Sequence, residues 1–253
     1  MKNIDNSISL IRQFAGLDAK ISQPTFGGEH HQIYIVETNN KKNVFRFSSH
    51  DYATKNRDIS KLLRKHNIPV PDVQICMLGG ECLETYPFLE GKTLYQRHQE
   101  GISGETTKKV YTQLCDICYR MSQIPATEFK DLDLPVCKTD TFFKLLNNSP
   151  RVICHCDLND KNVLLDNKDD VCAILDLDSI CLKTFELSML LLFTIAQEKG
   201  YEYTPESVKD FFPSIYHEKS LLNLGQQYAI YMKFVKFKNR LLDIKQLLKI
   251  PLK

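Results

Sequence analysis

The chain has 253 residues, with 33 Lys and Arg against 31 Asp and Glu and a net charge of +2. That length supports a sizeable core in one large or two small domains, and the near balance of charge argues for neither nucleic acid nor a membrane surface as the main partner. No apolar run approaches the roughly 18–20 residues that cross a bilayer, and the first residues lack the apolar core of a signal peptide, so we expect a cytoplasmic protein.

Residues 1–20 carry Ile8, Ile11, Phe14 and Ala15 on one face of a helical pattern. The stretch Pro24-Thr25-Phe26-Gly27-Gly28-Glu29-His30-His31-Gln32 then runs into a strand, Ile33–Glu37. Paired glycines between strands let backbone amides come close to a polyphosphate, although the same pair also makes an ordinary hairpin turn. After a turn over 39–43, Val44, Arg46 and Ser48 alternate with Phe45 and Phe47. A single cation on the inner face of such a strand suits a grip on nucleotide phosphates; an exposed strand Arg is the plainer alternative.

Residues 52–67 are helical in pattern, with Tyr52, Lys55 and Asn56, Ile59, Leu62 and Leu63 sharing a face. Ile68-Pro69-Val70-Pro71 stops that helix and opens an extended run. Two strands, Val73–Leu78 and Cys82–Tyr86, flank Gly79-Gly80, a tight-turn signal. An apolar segment, Tyr86-Pro87-Phe88-Leu89-Glu90-Gly91, follows. Glu105–Gln123 places Val110, Leu114, Ile117, Cys118 and Met121 on a buried stripe. Residues 125–150 read as irregular, with a short helix at Thr139–Leu146.

The nine cysteines are odd in number and lie in a large chain without a secretion signal, which argues against a disulfide framework. Cys115-x-x-Cys118 has no second pair to complete a zinc site. We expect reduced thiols packed as small apolar side chains.

The most informative segment is 152–178. Val152-Ile153-Cys154 delivers His155 and Asp157, Asn162 follows in the same loop, and a second apolar run, Val171–Leu175, ends on Asp176. Two strands thus carry a carboxylate, a carboxamide and a second carboxylate to their ends. Asp157 sits in the loop, where it can accept a proton from an attacking hydroxyl. Asn162 and Asp176 offer one neutral and one anionic oxygen, suited to Mg2+, which takes few protein ligands and keeps its waters. His155 braces the loop. Asp178 either touches a second metal or caps the following turn, and Lys161 either meets a phosphate or is solvated. Beyond this, Phe185–Gln197 reads as a core helix and Leu221–Lys238 resumes helical periodicity. The cations Lys233, Lys236, Lys238, Arg240, Lys245, Lys249 and Lys253 form a solvated helix face.

His155, Asp157, Asn162 and Asp176 meet a pattern H-x-D-x-x-x-x-N followed by an apolar strand ending in Asp, and Glu186-Leu187-Ser188 is an altered version of the turn beyond it. In these residues the chain resembles the aminoglycoside phosphotransferase/choline kinase family. The resemblance implies an α+β, protein-kinase-like fold of two lobes, residues 1–87 with a small antiparallel sheet and residues 88–253 mainly helical. It implies ATP and Mg2+ as cofactors. Gly27 and Gly28 would lie over the phosphates, Arg46 would grip them, and Tyr86, Phe88 and Leu89 would meet the adenine. Asn162 and Asp176 would hold the metal, and Asp157 would serve as catalytic base. The family expects a Glu on the 52–67 helix to pair with the gripping cation. This chain has Asn56 there, and Asp58 lies about 200° further round the helix. Either Asn56 bonds Arg46 as a neutral partner or another acid substitutes.

The activity implied is transfer of the γ-phosphoryl group to a hydroxyl of a small molecule, aminoglycoside-, choline- or sugar-like. A cationic acceptor would want an acidic cleft, for which Asp131, Asp133, Asp140 and Glu186 are candidates. Two other readings remain open. A catalytically silent nucleotide-binding module would explain the missing Glu. A haloacid-dehalogenase-type phosphatase would use the strand ending Asp176-Leu177-Asp178, at the cost of leaving the His155–Asn162 block unexplained. Nucleic-acid and membrane partners are not expected, and oligomeric state is not legible.

Overall fold

The structure, a computed structural model, describes residues 4–24, 32–39, 41–137, 150–185, 188, 189 and 192. The expected Gly27-Gly28 loop, the helices at 139–146 and 221–238, and Asp140 and Glu186 lie outside these residues, as does most of 185–197.

Helix α1 (Ile4–Ala15) precedes three strands, β1 (Lys20–Ser22), β2 (Ile33–Thr38) and β3 (Lys41–Ser48). Helix α2 (His50–Lys65) then leads into β4 (Gln74–Leu78) and β5 (Glu81–Pro87). The five strands form one antiparallel sheet in the order β1-β2-β3-β5-β4. Gly79 and Gly80, both at positive φ (56° and 83°), make the β4–β5 turn, a backbone twist that matches the right-handed twist of the flanking strands.

β3 is the middle strand, with both edges paired, and Val44–Phe47 are buried on both of its faces. Phe45 and Phe47 point into a cluster with Tyr34, Val36, Leu83 and Ile11 of α1, with Phe14 edge-on to Phe45 at 5.8 Å. The opposite face carries Arg46, only 8% exposed, which excludes the exposed-Arg alternative. Helix α2 covers that side. Ser49 caps it by accepting the Tyr52 amide, Asp51 stands in its first turn and Arg64 and Lys65 in its last, each complementing the helix dipole. Asn67 at φ 57° and Pro69 end it.

The inner face of α2 does not pack on the sheet alone. Ile59, Leu62 and Leu63 join Ile68, Val70 and Val73 in one core with α4 (Gly104–Ser122) and the strands of the second half. Val110, Leu114, Ile117, Cys118 and Met121 all lie in that core, as the spacing predicts. Between the halves run β6 (Lys92–Thr93) and α3 (Leu94–Gln99), the latter opened by a Thr93–Gln96 capping box; α5 (Ala126–Phe129) follows α4.

The second half is built on β7 (Arg151–His155), β8 (Val163–Leu165), β9 (Val171–Ile174) and β10 (Ile180–Thr184), with a 3-10 turn at Leu177–Ser179. β7 pairs with β10, and β8 with β6 and β9, all antiparallel. Gly91 packs so closely on β8 that a Cβ there would run into the Leu165 carbonyl oxygen. The cysteine expectation needs correction at one pair: Cys156 and Cys181 form a disulfide, and the other seven are free. The β7–β10 register, Ile180 opposite His155 and Cys181 opposite Cys154, brings the two together across a sequence distance that composition alone does not reveal. Among the described residues no helix is long and apolar enough to cross a membrane.

Candidate active site

The loop between β7 and β8 holds the first group. His155, at the end of β7 and 5% exposed, lies 2.8 Å from the Leu175 carbonyl oxygen through Nε2, and its Nδ1 accepts the Asp157 amide at 3.3 Å. A carbonyl only accepts, so Nε2 carries the proton and the ring is neutral with Nδ1 free to accept. Burial pushes the His155 pKa down, outweighing the Leu175 hydrogen bond and the nearby Asp176 and Asp157 charges, which pull it up. The imidazole thus ties the residue before Asp176 to the amide of Asp157.

Asp157 itself is exposed. The Asn162 side-chain amide donates to its carbonyl oxygen at 2.8 Å and to its carboxylate at 3.2 Å. With Nδ2 committed to Asp157, the Asn162 Oδ1 is the side-chain atom left to accept. Its own carbonyl accepts the Leu175 amide at 2.8 Å, a second tie between the loop and the strand leading to Asp176. Asp176 adopts φ 61°, ψ 65°, a left-handed conformation that Asp and Asn tolerate better than other side chains. Its Oδ2 accepts from Ser179 Oγ at 3.1 Å. Among the described residues no cluster of three or more His, Cys, Asp or Glu is arranged to hold a metal. One carboxylate and one amide oxygen are the donor set of a hard ion that leaves most positions to water and phosphate, which fits Mg2+.

The second group surrounds Arg46. Its Nη2 bonds both oxygens of Asp178, at 2.6 and 2.9 Å, and lies 3.8 Å from Glu84 Oε1. The Tyr52 ring sits 5.3 Å from the guanidinium carbon. Glu84 is directly opposite Arg46 in the β3–β5 ladder and is 2% exposed. Asn56 Nδ2 donates to both Glu84 oxygens (3.2 and 3.3 Å) and to Asp178 Oδ1 at 2.8 Å. Asn56 therefore bridges the two carboxylates and does not bond the cation. Burial pushes the Glu84 pKa up, with Arg46 and Asn56 pulling it back only in part. At Asp178 burial also pushes up, but the hydrogen bonds from Arg46 and Tyr52 win and hold its pKa below the usual value. Asp178 is thus the firm anion and Glu84 the softer one. Tyr86, whose phenol burial pushes up to about 12, feels the charges of Arg46, Glu84 and Asp178.

Sequence reasoning missed Glu84 and the hydrogen bonds that tie Asp178 to Arg46 and Asn56. The available signal for Glu84 was alternation: Cys82, Glu84 and Tyr86 share one face of a strand, and an acid in its middle needs a partner there. Lys161 lies exposed with its ammonium 5.8 Å from the Tyr95 ring centroid. At the segment between the halves, the Phe88 amide donates to the Lys42 carbonyl at 2.9 Å, and Pro87 has no N–H. The Leu89 amide is the donor that remains candidate for a base edge, while Phe88 and Leu89 are half-buried.

A model of the phosphotransferase enzyme family matches residues 131–206, the segment that spans His155, Asp157, Asn162, Asp176 and Asp178. No curated protein matches the sequence. Among solved structures, the ADP-bound aminoglycoside phosphotransferase APH(2'')-Ib is similar with a TM-score of 0.64 at 11% identity, covering 93% of this chain and 90% of that one. The GDP and kanamycin complex of APH(2")-IIia gives 0.63 at 13% identity, with 94% of each chain covered. The macrolide 2'-phosphotransferase MphH from Brachybacterium faecium gives 0.54 at 15% identity, covering 83% of this chain and 88% of that one. The fold is therefore the two-lobed, protein-kinase-like α+β fold of the aminoglycoside and macrolide phosphotransferases.

Proposed function

We propose that this chain, matched by the phosphotransferase enzyme family model over residues 131–206 and folded like the aminoglycoside phosphotransferases, transfers a phosphoryl group from a nucleoside triphosphate to a hydroxyl of a small molecule. The observation that carries the reading is the exposed Asp157 carboxylate, held by Asn162 at 3.2 Å and tied through His155 to the residue before Asp176.

Asp157 orients the acceptor hydroxyl and takes its proton as the oxygen attacks in line. The Asn162 amide fixes the rotamer of that carboxylate, so little reorganisation is needed when substrate arrives. His155 stays neutral and positions the loop; burial leaves it no role in proton transfer. Asn162 Oδ1 and the Asp176 carboxylate would hold Mg2+, which supplies positive charge to the phosphate oxygens. Arg46 adds a fixed cation toward the same phosphates, and Gly27 and Gly28 are the loop we assign over them. Tyr86, Phe88 and Leu89 enclose the base. Lobes at 1–87 and 88–253 would place the nucleotide between them.

We take ATP as the donor; similar structures are bound to ADP and to GDP, so both triphosphates belong in the assay. The acceptor is a small polyhydroxylated or cationic molecule, in line with the kanamycin complex of one similar structure and the spectinomycin complex of another. Of the candidate acids for a cationic acceptor, Asp131 and Asp133 are exposed, and Lys55 Nζ donates to the Asp133 carbonyl at 2.7 Å. The phosphatase reading has no support in the fold, since β9 lies in an antiparallel hairpin with β8.

The test is nucleoside diphosphate release with ATP or GTP and Mg2+ across aminoglycosides, choline and sugars. An acceptor-dependent rate that falls by about 10²–10⁴ in Asp157→Asn supports the reading. Nucleotide binding with no acceptor-dependent turnover would leave a silent binding module instead.

A further inference from the structure

Among the described residues, Arg46 sits within reach of two carboxylates, and neither belongs to α2. Asp178 comes from the 3-10 turn after β9, and Glu84 from the neighbouring strand. The β3–β5 register sets Glu84 opposite Arg46, and with 2% exposure it has no water to fall back on. The position on α2 that faces this pair holds a carboxamide, which donates to Glu84 and Asp178 together.

We propose that Glu84 shares with Asp178 the positioning of Arg46 for the nucleotide phosphates, Asp178 by hydrogen bonds and Glu84 by charge from the neighbouring strand, and that residue 56 is an amide because Glu84 has taken over the acid. This rests on the nucleotide reading given above. One guanidinium beside two carboxylates already leaves the buried group one negative charge in excess. A third carboxylate at residue 56 would stand within hydrogen-bond distance of both acids with no proton to share, and like charges at that separation in a buried setting repel strongly. An amide of the same shape turns that repulsion into two attractive contacts. Arg46 Nε is buried without a partner, so the guanidinium keeps donor capacity beyond what Asp178 uses. The strand partner adds its charge to the cation from the side, 3.8 Å from Nη2. Relocating the acid from the helix to the strand also means that the Arg46–Glu84 relation depends on a fixed ladder and not on how α2 moves.

The experiment is a charge-relocation cycle: Glu84→Gln, Asn56→Asp and the double variant, with Glu84→Asp as the charge-conserving control. Each is titrated with a fluorescent ATP analogue in Mg2+ and, without nucleotide, unfolded in urea. Glu84→Gln and Asn56→Asp should each weaken nucleotide binding by about tenfold, the size of a coupling between neighbours. The double variant, which restores two carboxylates to one guanidinium, should recover most of that loss, and Glu84→Asp should bind better than Glu84→Gln. Additive losses, or Glu84→Gln binding as wild type does, would overturn the proposal. If wild type binds no nucleotide, the functional reading fails by itself. The urea cycle then still decides whether residues 56 and 84 share one charge balance: a double variant more stable than either single supports it, and additivity refutes it.

Discussion

Arg46 and Asp178 stand 132 residues apart in sequence and meet in two hydrogen bonds of 2.6 and 2.9 Å. One lies on the middle strand of the five-stranded sheet, the other two residues beyond Asp176. The pair therefore fastens the sheet to the turn that carries the candidate metal ligand. Ionic contacts in solvent contribute little, but here Arg46 is 8% exposed, and removing it strands two carboxylates. Arg46→Ala should cost about 3–5 kcal/mol in urea unfolding, as expected when one partner of a buried pair is lost. A loss below about 1 kcal/mol, the size of an exposed pair, would show that the network is solvated in solution.

His155 gives the stability a pH dependence with a definite sign. It is neutral and buried in the folded chain, with a pKa below its ordinary value, and in the unfolded chain it takes up a proton near pH 6.5. The unfolded state therefore binds more protons as pH falls below about 6.5, and stability drops with a slope of up to about 1.4 kcal/mol per pH unit. Glu84, with a raised pKa, protonates in the folded state first and acts in the opposite sense. Asp178 has a lowered pKa, so its contribution is kept until far lower pH. The clean comparison is wild type against His155→Gln: unfolding midpoints between pH 7.5 and 5.5 should converge on acidification. Parallel curves would mean that the ring is charged or exposed.

The Cys156–Cys181 bond closes a ring that contains Asp157, Asn162, Asp176 and Asp178. Nine cysteines less the two in the bond leave seven to react with a thiol reagent in denaturant without reductant. With a sequence separation of 25, loss of the bond in the Cys156→Ser/Cys181→Ser double variant should cost about 3 kcal/mol. Nine reactive thiols would contradict the pairing.

What the sequence made legible is local. Alternation in β3 named Arg46 because a lone cation among apolar neighbours stands out over a few residues. The spacing of His155, Asp157, Asn162 and Asp176 marked the candidate site, since strand ends are set by short runs. Paired glycines at 79 and 80 announced their turn. The features that escaped are products of register. Glu84 becomes a partner of Arg46 only when β5 lies against β3, and Cys181 reaches Cys156 only when β10 folds back on β7. The Asn56 substitution was visible as an anomaly, but its reason lay in a strand that follows it by 28 residues. The Phe88 amide closes the end of the β3–β5 ladder on the Lys42 carbonyl, a pairing that register alone sets.

Asn162 and Asp176 are the residues we assign to Mg2+ in the presence of a nucleotide. The direct measurement is thermal unfolding of wild type and Asp176→Asn, each with and without Mg-ATP. Asn also tolerates the left-handed backbone of this position, so the variant removes charge and little else. At about a hundred times its dissociation constant, Mg-ATP should stabilise wild type by about 2.7 kcal/mol. That gain should need Mg2+ and be largely lost in Asp176→Asn. No gain in wild type, or an equal gain in both, would contradict that assignment.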